Sequence, residues 1–189
     1  MSAAIQFLDN HSISTTDLVA EAEQGLLSNP ATLSPKFFYD LLGSKLFDAI
    51  TLLPEYYPTS TEAEIFQKNM AEICQYIGKD STLVDLGSGN SKKAASFFDA
   101  LKPNKYIAVD ISVDFLKEIL PNLQNKYPEI DMVGVGMDFS SKLDFPKELQ
   151  GGKKTFFYPG SSLGNFIHDE ADTLLKQIYE ATEGGGLLI

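Results

Sequence analysis

Cysteine, histidine and basic residues are all scarce in this chain, and each shortage removes a class of explanation. The single cysteine, Cys74, forbids an internal disulfide, and its place in an apolar helical pattern reads as a small core residue. Two histidines, His11 and His168, offer no Cys/His metal site beside that one thiol, so no metal is expected. With 15 Lys and Arg against 26 Asp and Glu, the formal net charge is −11. Such a field repels phosphate backbones and anionic membrane surfaces, so neither nucleic acid nor membrane is an expected partner. No apolar run approaches the roughly 20 residues that cross a bilayer. The start, "MSAAIQFLDNHSISTTDLV", lacks the basic residues and sustained apolar stretch of a secretory signal, and a cytoplasmic location is the expectation. What is present is an ordinary globular composition, 43% hydrophobic and 22% charged over 189 residues, enough to bury a sizeable core.

The first eighty residues read as helices. Leu18, Val19, Ala22, Leu26 and Leu27 recur at helical spacing until "SNPATLSP" breaks the pattern. Ser34 and Pro35 then place a cap and a first-turn proline ahead of Phe37, Phe38, Leu41, Leu42, Leu46, Phe47 and Ile50, with Gly43 as an expected interruption. "LPEYYPTS" ends that segment. Thr61 and Glu64 suggest a capping box for a third helix burying Ala63, Phe66, Met70, Ile73 and Ile77, and Gly78 stops it.

From residue 81 the rhythm changes. "STLVDL", "KYIAVD", "DMVGVGMD", "KTFFYPG" and the terminal "GLLI" read as strands, and residues 91–101, 112–126 and 168–182 as the helices between them. Near-continuous apolar strands alternating with helices predict an α/β fold, a parallel sheet covered on both faces. The chain stops at "EGGGLLI", where a glycine cluster launches a strand with nothing to close it. An incomplete sheet, from a fragment of a longer chain, is therefore expected.

"TLVDLGSGNSKKAA", residues 82–95, carries the chemistry. In a doubly wound sheet, ligands bind outside the carboxyl ends of the strands, and Gly87 and Gly89 lie where the first of these strands turns into its helix. A dinucleotide fingerprint needs a third glycine at position 92, which is Lys; a triphosphate loop needs Gly-Lys-Ser/Thr in succession, which is absent. What remains is D-x-G-x-G-x-S, beginning at Asp85. Asp110 ends the next strand, where a carboxylate can accept hydrogen bonds from both ribose hydroxyls, a device that NAD enzymes share. Asp138 and Phe139 end the third, an acid for an adenine amino group beside a ring that packs on the base. Three acids at successive strand ends suit adenosine recognition.

Three segments together resemble one family. "LSPKFFYDLLGSKLFDAITLLPEYYPTSTEAEIF" (33–66), "LVDLGSGNSKK" (83–93) and "FFYPGSSLGNF" (156–166) look like the amino-terminal portion of the S-adenosylmethionine-dependent L-histidine Nα-methyltransferases of ergothioneine biosynthesis. Fungal prenyl-tryptophan N-methyltransferases share much of the pattern. The resemblance implies a Rossmann-like class I methyltransferase sheet preceded by an all-helical segment, with residues 1–60 contributing to the substrate pocket and 61–189 forming the S-adenosylmethionine-binding domain. It places Gly87, Gly89, Lys93, Asp110, Asp138 and Phe139 on the cofactor. Tyr56, Gly160 and Asn165 fall on the amino-acid substrate, and Tyr39 beside the amine to be methylated. Complete family members are longer and draw further contacts to the imidazole from beyond Ile189.

Methyl transfer from a sulfonium to a neutral amine is an in-line displacement that needs orientation rather than a covalent intermediate or a metal. A tyrosine hydroxyl, with an ordinary pKa near ~10, is a poor base at neutral pH, so Tyr39 is expected to orient the amine. His168 reads as a helix-start residue. Three other readings stay open: a cofactor-binding module without turnover, an N-methyltransferase for a different amino-acid-like substrate, and an NAD-dependent oxidoreductase.

Overall fold

The computed structural model describes residues 4–10, 15–79, 81–140 and 142–189; His11 lies outside them. Strand β1 (Gln6–Asp9) comes first, followed by helix α1 (Thr15–Leu26), a short 3-10 helix (Pro35–Phe38), α2 (Leu41–Ile50) and α3 (Pro58–Ile77). The alternating part then runs β2 (Thr82–Leu86), α4 (Lys92–Ala95), α5 (Phe98–Leu101), β3 (Lys105–Asp110), α6 (Val113–Lys126), β4 (Asp131–Gly136), β5 (Lys154–Phe157), α7 (His168–Thr182) and β6 (Gly186–Leu188). All strand pairs are parallel, in the order β1-β4-β3-β2-β5-β6.

Period-two alternation divides each inner strand between two cores. Leu83, Tyr106, Ala108, Met132 and Phe157 face the layer that holds Phe97, Phe98, Leu101, Leu116 and Leu120. Val84, Leu86, Ile107, Val109, Val133, Val135 and Phe156 face Leu174 and Ile178 of α7. The five strands expected from residue 81 onward all form. Strands β2 to β5 are largely apolar on both faces because helices cover both, whereas β6 leaves Leu187 exposed.

The amino-terminal expectation of helices alone is corrected at one place. Gln6–Asp9 is a strand that extends the sheet, pairing in register with Val133–Gly136. Only four residues long and half-buried at the sheet edge, it has too little apolar alternation to announce itself. Its seat is made by Gly134: a Cβ there would lie 2.8 Å from the Phe7 ring and 3.1 Å from Leu120.

Three helical expectations also shift. The break falls at Tyr39–Asp40 rather than at Gly43, because the Asp40 carboxylate accepts the Gly43 N–H at 2.7 Å and starts α2 there. Helix α3 begins three residues before Thr61, with Pro58 in its first turn, so no capping box forms at Thr61, and Ala63 is exposed. The stretch 91–101 divides into α4 and α5 at Ser96, whose hydroxyl donates to the Lys93 carbonyl at 2.6 Å. Gly78 ends α3 with φ +80°, as expected of a helix-stopping glycine.

Candidate cofactor and substrate site

Chain order reverses between β2 and β5: β3 and β4 are laid down on one side of β2, and β5 and β6 on the other. Crevices for ligands open at such a switch point, outside the carboxyl ends of the strands. The loop after β2 sits there. Gly87 and Gly89 both have positive φ, +68° and +50°, which a residue with a side chain adopts at a cost. The Gly87 N–H donates to the Val109 carbonyl at 2.9 Å, and the Gly89 N–H donates to the Asp110 carboxylate at 2.9 Å. The glycine loop and the second acid are thus one hydrogen-bonded unit. Ser88 Oγ is buried in this loop with no partner among the described residues, a polar atom suited to a ligand that brings its own donors and acceptors.

Asp110 is 8% exposed. Burial raises its pKa, against the backbone N–H groups of Ser112 and Gly89 that favour the charged form. Asp85 lies deeper, 2% exposed, with the Tyr106 hydroxyl donating to it at 2.7 Å. Burial pushes its carboxyl up to about 7; the Tyr106 hydrogen bond opposes this and the neighbouring Asp110 adds to it. Of the three acids, Asp85 is the one held inside the sheet, on the Tyr106 hydroxyl of β3.

Asp138 follows β4. One of its carboxylate oxygens accepts the Ser140 N–H at 3.1 Å and the Ser140 hydroxyl, while the other pairs with Lys36 at 3.1 Å. Lys36, in the short 3-10 helix, also pairs with Glu21 of α1 at 2.7 Å. Burial works against its charge, but the bonds to Glu21 and Asp138 outweigh that and hold its pKa above the usual value. Phe139 leans toward the glycine loop, 3.9 Å from where a Cβ on Gly87 would stand, and meets Tyr158 edge to face at 5.8 Å. Burial lifts the Tyr158 hydroxyl to about 12, so it stays a neutral donor.

At the other end of the loop, Lys93 of α4 pairs with Glu62 of α3 at 2.5 Å. Glu62 also accepts the Gly160 N–H at 2.8 Å, and Gly160 holds φ +85° in the turn after β5. Between these ends, the Asn90 amide donates to Asp48 of α2 at 2.5 Å. The helical segment therefore meets the crevice at three points along its length.

The expected substrate-side residues gather in part. Tyr39 and Tyr56 meet through Phe47, edge to face at 6.2 Å and 5.9 Å. Gly160 lies apart from that aromatic group and is tied through Glu62 to Lys93, at the end of the glycine loop. Asn165 is exposed at the end of a short 3-10 turn, Ser162–Asn165, and takes no part in these ties. His168 is the first residue of α7 and exposed, as a helix-start residue. Lys36, Phe47, Asp48 and Glu62 were missed by sequence reading. Each acts across more than thirty positions or between elements, so periodicity and spacing carry no trace of it, although all four lie inside the segment 33–66 that carries the family resemblance.

A family model described as histidine-specific methyltransferase, SAM-dependent, matches residues 18–189. A histidine N-alpha-methyltransferase of Mycolicibacterium smegmatis is 39% identical over 173 residues, which cover 89% of this chain and 53% of that protein. A 4-dimethylallyltryptophan N-methyltransferase of Claviceps purpurea is 28% identical over 163 residues, covering 82% and 47% respectively. The chain spans about half the length of the curated relatives it matches. Among solved structures, a mycolic acid cyclopropane synthase complexed with S-adenosylhomocysteine (SAH) superposes with a TM-score of 0.51 at 14% identity, covering 67% of this chain and 42% of that one. That likeness concerns the fold, a Rossmann-like sheet. With the family match running from α1 to the last residue, this chain belongs to the S-adenosylmethionine-dependent, histidine-specific methyltransferases.

Proposed function

We propose that this chain supplies the cofactor crevice and part of the amino-acid pocket of an enzyme that methylates the α-amino group of L-histidine. Repeated transfer would give the Nα-trimethylated product, hercynine, on the way to ergothioneine. One observation carries the reading: the Asp110 carboxylate and the Gly87–Gly89 loop form a single hydrogen-bonded unit at the switch point, with Phe139 beside it. Asp110 would accept from the ribose hydroxyls, and Asp138 with Phe139 would hold the adenine. Gly87 and Gly89 would let the ligand approach the backbone, and Lys93 would hold the carboxylate of the methionine part.

The cofactor supplies an activated methyl on a sulfonium centre. The chain's own work is orientation. Tyr56, Gly160 and Asn165 would hold the amino acid, and residues 1–60, apart from strand β1, would wall its pocket. Tyr39 would direct the lone pair of the neutral amine along the line of the breaking bond, which is where an enzyme of this type gains most of its rate.

The test is calorimetry with SAH together with transfer of labelled methyl from S-adenosylmethionine to L-histidine. SAH binding with turnover on histidine is the expected result; a folded protein that binds no SAH overturns the reading. A second reading, N-methylation of another amino-acid-like substrate, is favoured by the similarity to the Claviceps enzyme and by the wide aromatic surface of Tyr39, Phe47 and Tyr56. Turnover on a tryptophan derivative but not on histidine would select it. SAH binding with turnover on neither would leave a binding module.

A further inference from the structure

Glu62 joins two parts of the site that the proposed function treats separately. Its side chain is 23% exposed, and its two oxygens serve different partners. One accepts the Gly160 N–H at 2.8 Å, in the turn placed on the substrate, and the other pairs at 2.5 Å with Lys93, the lysine placed on the cofactor. The two partners also touch: a Cβ on Gly160 would lie 3.0 Å from Lys93 Nζ. A single carboxylate therefore sets the position of the ammonium against the turn.

We infer that Glu62 is a positioning residue that competes with the cofactor's carboxylate for Lys93 and passes the outcome to the Gly160 turn. The inference rests on the cofactor-site reading above. Without cofactor, Glu62 is the counter-ion of Lys93. When the methionine carboxylate reaches Lys93, two anions share one ammonium and repel each other. The Glu62–Lys93 pair then loosens, while Glu62 keeps its hydrogen bond to the Gly160 N–H. Occupancy of the cofactor crevice is thereby felt at the substrate turn.

Comparing two ligands isolates this effect. SAH carries the amino-carboxylate, whereas 5′-methylthioadenosine has the same adenosyl thioether without it. Glu62→Gln keeps an oxygen for the Gly160 N–H and removes the charge. By calorimetry, Glu62→Gln is expected to bind SAH about fivefold more tightly, the scale of one like charge removed from a partly exposed site, and 5′-methylthioadenosine unchanged. Lys93→Gln should weaken SAH and leave 5′-methylthioadenosine unchanged, and adding Glu62→Gln to it should shift SAH by less than the same change does when Lys93 is present. Glu62→Asp, one methylene too short to span both partners, should shift SAH in the same direction and serves if Glu62→Gln does not fold. Equal shifts for the two ligands, unchanged or weakened SAH binding, or an effect as large without Lys93 as with it would each overturn the inference. The reading beneath it has its own control: Asp110→Ala should weaken both ligands. If the unaltered chain binds neither ligand, the cofactor site itself is wrong and this inference falls with it.

Discussion

In the sheet, Val84, Ile107, Val109 and Phe156 are no more than 1% exposed, whereas between Pro35 and Tyr57 the side chains of Phe38, Leu42, Leu46 and Leu52 stand 56–79% exposed. Only Ser44 is buried in that second stretch. Two apolar regions of one chain thus use their hydrophobic residues in opposite ways. The sheet is held by burial, which is non-directional and is not screened by salt as an ion pair is. The helical segment, with α3 behind it, is fastened across the crevice by Lys36–Asp138, Asp48–Asn90 and Glu62–Lys93, and by the exposed pair Lys45–Glu118. Fastenings of that kind respond to whatever charge enters the crevice, which is a property wanted where a substrate pocket must follow a cofactor site.

The sharpest break in the comparison is a cavity in the sheet half. Phe97 packs on Phe66 and Phe157 with ring centroids 5.3 Å and 5.5 Å away, and Phe97→Ala is expected to cost about 3–5 kcal/mol in urea unfolding. Asp110→Ala should come next. It removes the acceptor for the Gly89 N–H as well as the ribose contact, and SAH affinity should fall about a hundredfold by calorimetry, the scale of one strong charge-assisted hydrogen bond.

A pH series tests the buried acid. The Asp85 carboxyl sits at about 7 in the folded chain, above the ~3.9 of an unfolded aspartate. Between those values the folded state keeps a proton that the unfolded state has released, so stability falls as pH rises through this window and is level above it. Asp85→Asn, neutral throughout, should gain on the unaltered chain from pH ~4 to pH ~7 in urea midpoint and hold a constant lead beyond. A lead that did not vary with pH would show that Asp85 is charged at all these values. The smallest effect belongs to the helical segment: Leu42→Ala, at a site 65% exposed, should change the melting temperature by no more than a shift of ~0.5 kcal/mol allows. A loss as large as that of Phe97→Ala would erase the distinction between the two regions.

Legibility followed the same division. Strands β2 to β6 were readable because runs such as Leu83–Leu86 and Tyr106–Val109 are apolar on both faces, a local signal of a covered parallel sheet. Gly87, Gly89, Asp110, Asp138 and Phe139 were readable as a group, since strand ends in this topology fall at one edge and the structure brings them there. Strand β1 was not readable: its partner is 127 positions away at Val133, and its seat depends on the missing side chain of Gly134. Nor was the break at Tyr39–Asp40 between the 3-10 helix and α2, where a carboxylate cap outweighed the apolar continuity of the flanking residues.

Sequence by itself determined the layered α/β architecture, the place of the glycine loop and the family, because apolar periodicity and short motifs are local properties that survive without coordinates. Tertiary structure alone decided which carboxylate meets which lysine. Lys36 reaching Asp138 and Glu62 holding both Lys93 and Gly160 are contacts between elements set by how helices lie across a sheet edge, and charges carry no period that would announce their partners in advance.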